Sequence, residues 1–132
     1  LMYGREFHVT LVADLIIATD DTYPDYLPQE SILEDSDLWA LASELEHRYP
    51  QDVKSHTWMA LGIKETVDSL IESDNPYMRD FLSNYSFTES DRMEIVERVA
   101  KRICEKLRPH VDLQYQIRYK VMPNGRVGFR LE

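Results

Sequence analysis

Residues 111–131 read VDLQYQIRYKVMPNGRVGFRL, and the order of apolar and polar side chains in that stretch decides the fold class. Val111, Leu113, Tyr115, Ile117, Tyr119 and Val121 take every second position, with Asp112, Gln114, Gln116, Arg118 and Lys120 between them. Strand side chains point alternately to the two faces, so a period of two predicts a strand with one wet face. Pro123, Asn124 and Gly125 follow, and then Val127, Phe129 and Leu131 alternate with Arg126, Gly128 and Arg130. Asn-Gly between alternating runs signals a hairpin, because both residues tolerate positive φ.

Outward from the hairpin the pattern changes. Phe7, Val9, Leu11, Ala13, Leu15 and Ile17 are apolar without a break, and β-branched residues are frequent around them, which predicts an N-terminal strand, with a helix through Leu11, Leu15 and Ala18 as the alternative. The middle is helical. Leu38, Leu41, Ala42 and Leu45 form a stripe behind Ser36 as N-cap, with Pro50 as its stop. Ile63, Val67, Leu70 and Ile71 mark a second helix over about residues 55–73. Asn75 and Pro76 begin a third, carrying Tyr77, Phe81 and Tyr85. Thr88 with Asp91 makes a capping box ahead of Val96, Val99, Ala100, Ile103 and Leu107, and Pro109 ends that helix. The expected fold is α+β, a single domain over residues 1–132. An antiparallel sheet, made of the N-terminal strand and the hairpin 111–131, is covered on one face by about four helices.

The charge is unevenly placed. Between Arg5 and Arg48 there is no lysine or arginine, yet eleven acids: Glu6, Asp14, Asp20, Asp21, Asp25, Glu30, Glu34, Asp35, Asp37, Glu44 and Glu46. Residues 48–132 nearly balance, with fourteen cations against thirteen acids, so the acidic stretch accounts for all of the net charge of −9. A concentrated negative field attracts basic surfaces and repels nucleic acid and anionic membranes. Asp20 to Asp35, with Pro24 and Pro28 between, is long for a connection inside a compact domain, and such loops are often functional. Trp39 falls beside the apolar stripe and is a candidate interface anchor. The partner-binding set read from these features is Asp20, Asp21, Asp25, Glu30, Glu34, Asp35, Asp37 and Trp39. An exposed sheet face or Trp39 would also permit a dimer.

Other chemistries find less support. Gly4, Gly62, Gly125 and Gly128 are the only glycines and form no phosphate cradle, which argues against nucleotide-dependent enzymes. His8, His47, His56 and His110 lack the spacing for helical metal pairing. Asp14, Asp20, Asp21 and Asp25 do not follow a calcium loop, although Asp14 beside Asp112 on neighbouring strands would suit a carboxylate-metal hydrolase. The lone Cys104 sits at the edge of a buried helix face and cannot form an internal disulfide, which fits the cytoplasm. No run is long enough to span a membrane. No cofactor is implied. Arg118, Lys120, Arg126 and Arg130 gather on the polar face of the hairpin as an alternative nucleic-acid surface. The leading expectation is a non-enzymatic regulatory protein that docks on a basic protein surface, in its most specific form an inhibitor competing with nucleic acid.

Overall fold

The hairpin forms as β2 (Ile117–Val121) paired antiparallel with β3 (Val127–Leu131), Tyr119 lying opposite Phe129. The turn is tighter in its demands than Asn-Gly alone suggests. The Gly125 N–H donates to the Met122 carbonyl at 2.9 Å, and the Asn124 side chain accepts from the Arg126 N–H at 3.0 Å. Within the turn only Gly125 takes a positive φ, +83°, and a Cβ there would stand 2.5 Å from the Lys64 Cβ. Glycine is therefore required twice over, for its backbone and for its bareness.

The computed structural model describes residues 4–18, 31–73, 76, 78–79 and 85–132. Among these, five helices and one sheet build an α+β fold. The helices are α1 (Arg5–Ile16), α2 (Asp35–Arg48), α3 (Gln51–Ser55), α4 (Ile63–Ile71) and α5 (Glu89–Leu107), followed by a 3-10 turn at Arg108–His110. The third strand, β1 (Met59–Leu61), pairs antiparallel with β3, giving the order β1-β3-β2.

Three expectations are corrected. The N-terminal strand is a helix: residues 5–16 are α1, and the third strand comes from 59–61 instead. Most of α1 from His8 onward is buried, so its apolar residues run on with no clear period. Val9, Leu11, Val12, Ala13, Leu15 and Ile16 are all in the core. The deciding signal is polar: Glu6, Thr10 and Asp14 recur every four residues and lie along α5. Second, the helix expected over 55–73 begins only at Ile63, because Met59, Ala60 and Leu61 bond to β3. Third, residues 111–116 alternate without being a strand. The Arg108 guanidinium donates to the carbonyls of Tyr115 and Asp112, both at 2.7 Å, and to Val111 at 3.3 Å, which curls this stretch around one side chain. The helix expected from Asn75 and Pro76 falls largely outside the described residues.

The Thr88 and Asp91 capping box forms as read. The Asp91 N–H donates to Thr88 Oγ1 at 3.1 Å, and the Thr88 N–H to Asp91 Oδ2 at 3.0 Å. The long helix so started packs against α1, α2, α4 and β2. Phe129, Val127 and Leu131 of the central strand join Val99, Ile103 and Leu107 of α5 and Leu45 of α2 in one continuous core. On the other face of the sheet Trp58 lies over Gly128, where a Cβ would meet the Trp58 Cβ at 2.7 Å. The Arg130 guanidinium stacks on the same indole, 4.3 Å from its centroid.

Candidate functional site

The cation-free stretch divides in two. In α1, both acids are met by arginines of α5. Glu6 pairs with Arg98 at 2.7 Å and buried Asp14 with Arg102 at 2.6 Å, while Arg102 also donates to the Ile17 carbonyl at 3.1 Å. Burial pushes the Asp14 carboxyl above the usual carboxylate range, and Arg102 opposes this. Asp14 is thus a structural ion pair across two helices. Asp112, its supposed metal partner, instead accepts from the Gln114 N–H and donates its own N–H to Glu46. Among the described residues no cluster of three or more His, Cys, Asp or Glu side chains could hold a metal ion.

In α2 the acids stay at the surface. Glu34, not Ser36, is the N-cap, Asp35 and Asp37 follow in the first turn, and Asp37 Oδ2 accepts from the Glu34 N–H at 2.9 Å. Carboxylates are favoured there by the exposed N–H groups and the positive end of the helix dipole. Glu44 pairs with Arg48, one turn later, at 3.2 Å.

Beside these acids lies an apolar groove of about 590 Å³. Asp37, Ala40, Leu41 and Glu44 of α2 line one wall, Met59 and Leu61 of β1 the other, and Ile103 reaches it from α5. Ile32 and Leu33 close one end; their N–H groups donate to the Leu15 and Ile16 carbonyls at 3.1 and 2.8 Å, which ties the segment to the last turn of α1. Ile32 nevertheless leaves half its surface in solvent. Asp37 and Glu44 are two helical turns apart, about 10 Å along the axis. They put negative charge on the rim of an apolar floor.

Of the eight residues read as a partner site, Asp37 alone lines this groove. Glu34 and Asp35 are exposed at the start of α2. Trp39 is 63% exposed but points away, roughly 200° around the helix from Asp37, with its ring 5.4 Å from His110. Asp20, Asp21, Asp25 and Glu30 lie outside the described residues. Ala40, Glu44, Met59 and Leu61 were missed. The i, i+3, i+4, i+7 spacing of Asp37, Ala40, Leu41 and Glu44 points to the two α2 residues, and no local signal points to Met59 and Leu61.

The four cations of the alternative surface are also partly engaged. Arg118 and Arg130, opposite each other on β2 and β3, share Glu132 at 3.0 and 2.5 Å. Arg126 lies 3.8 Å from Glu65. Cys104 is half-buried, and burial pushes its thiol up to about 11, far from a reactive thiolate. Among the described residues no helix is long and apolar enough to cross a membrane. Compared with family models, curated proteins and solved structures, the chain has no match in any of the three.

Proposed function

We propose that this protein is a non-enzymatic interaction module whose α2–β1 groove receives an amphipathic helix with basic flanks from a protein partner. The observation that carries this reading is the pairing of an apolar floor with two rim carboxylates seven residues apart on one helix. A helix laid in a groove buries side chains at i, i+3, i+4 and i+7, and cations seven residues apart on it would meet Asp37 and Glu44. The rest of the acidic field speeds encounter with such a partner without contacting it. Competition with nucleic acid for a basic protein surface is the special case in which the captured helix is itself a nucleic-acid reader. A free thiol as the sole cysteine is in keeping with action in the reducing cytoplasm.

The test is a titration with a blocked helical peptide of leucines at groove spacing and lysines seven residues apart, followed by fluorescence anisotropy at several salt concentrations. Binding should weaken as salt rises. Asp37→Asn with Glu44→Gln should weaken it about tenfold at low salt and flatten the salt dependence. Ala40→Lys, which sets a cation at an exposed position in the groove wall, should abolish it. Equal affinity for all three proteins would remove the groove from consideration.

A further inference from the structure

A second surface, of opposite sign, lies at the other end of the sheet. The hydrogen bonds of the hairpin fix which backbone groups of β2 are already used. Gln116 and Glu132 exchange both N–H···O bonds, at 2.7 and 2.8 Å, and the Met122 N–H donates to the Arg126 carbonyl at 2.8 Å. Antiparallel pairs alternate between bonded and non-bonded positions, so Arg118 and Lys120 direct their N–H and C=O groups at β3. Ile117, Tyr119 and Val121 therefore direct theirs away from the sheet. Strand β2 is an edge in the order β1-β3-β2, and no described residue bonds to those groups.

The side chains along this edge form two rows. Arg118 and Lys120 are exposed on the outer face, and Ile117, Tyr119 and Val121 are half-buried on the helix side, where the Tyr119 hydroxyl donates to Glu97 at 2.6 Å. A strand added here would bond to Ile117, Tyr119 and Val121. Arg118 and Lys120 would then occupy non-hydrogen-bonded positions, where facing side chains come closest, with Cα atoms about 4.5 Å apart. A second copy of this chain is a poor occupant. In the three antiparallel registers of β2 with itself that overlap most, Arg118 faces Lys120, Arg118 faces Arg118, or Lys120 faces Lys120 of the other copy, and like charges directly opposite are destabilising.

We propose that the free edge of β2 accepts, by strand addition, an extended segment of another protein in which acidic and apolar residues alternate. The acids would meet Arg118 and Lys120, and the apolar residues would continue the row of Ile117, Tyr119 and Val121. Arg118 has donors to offer: it gives its Nε–H to Glu132 and one NH2 proton to Gln116, out of five N–H groups.

The experiment is amide hydrogen exchange by NMR with a blocked peptide alternating valine and glutamate, against one alternating valine and lysine. The glutamate peptide should slow exchange at Ile117, Tyr119 and Val121 at least tenfold, and the lysine peptide should leave it unchanged. Lys120→Glu, at an exposed position, should reverse or abolish this preference. The Arg118 and Lys120 amides, already bonded to β3, report that the hairpin remains formed in each sample. Three unprotected amides with the glutamate peptide, equal protection by both peptides, or amides already protected in a self-associated protein would each overturn the proposal.

Discussion

Helices α1 and α2 belong to the same acidic stretch, yet they hold their charge in opposite ways. The acids of α1 are met by Arg98 and Arg102 of another helix, whereas among the described residues the acids of α2 form an ion pair only with Arg48, within the same helix. Counting charge along a chain therefore overstates what a partner feels. Among the described acids of this stretch, those of α2 face solvent without an arginine from another helix beside them, and it is there that an apolar groove also opens.

The widest separation between the two helices should come from removing one cation. Arg102→Ala strands the Asp14 carboxyl in the core and should cost about 3 kcal/mol in urea denaturation at neutral pH. Its deficit should shrink as pH falls, because a carboxyl whose pKa is raised on folding favours the folded state in its protonated form. A flat deficit would mean that Asp14 is not ionised beside Arg102.

Asp91, at the other end of the α1–α5 contact, carries the opposite sign. Burial pushes its pKa up, but the Thr88 N–H, the Tyr85 hydroxyl, Arg5 and the Thr88 hydroxyl together outweigh this and hold it at about 2. A depressed acid stabilises the fold above its unfolded value of 3.8 and loses that contribution as pH falls through about 2. Asp91→Asn should cost about 2 kcal/mol at neutral pH and flatten the acid limb of the stability curve. Next in size comes Gly125→Ala. It should lower stability by about 1–2 kcal/mol in the same denaturation assay, through its positive φ and the nearby Lys64. Smallest is Asp35→Asn with Glu44→Gln on α2, which should stay within about 0.5 kcal/mol of the parent protein. A large loss from this pair would erase the distinction between the two helices.

The hairpin, the capping box of α5 and the apolar stripe of α2 were legible because each is local: a period, a spacing or a turn residue states its own geometry. Helix α1 was harder to read, since burial on most sides leaves only Glu6, Thr10 and Asp14 to carry a helical period, and the continuous apolar run around them suits a strand as well. Strand β1 escaped because Met59, Ala60 and Leu61 carry no strand propensity of their own and are recruited by β3. The same reasoning separates the candidate residues. Asp37 and Glu44 could be read as acids on a helix, but Met59 and Leu61 become their neighbours only once the sheet places β1 alongside α2. Leu113 illustrates the opposite error: it sits in phase with core residues and is 87% exposed, because Arg108 has claimed the backbone around it.

The two tryptophans give the molecule a pair of built-in optical probes. Half-buried Trp58, packed over Gly128 and stacked with the Arg130 guanidinium, should emit further to the blue and quench less readily with acrylamide than Trp39, which is 63% exposed. Replacing one indole at a time would let a single fluorimeter follow events at the sheet and at α2 separately, without attaching any dye.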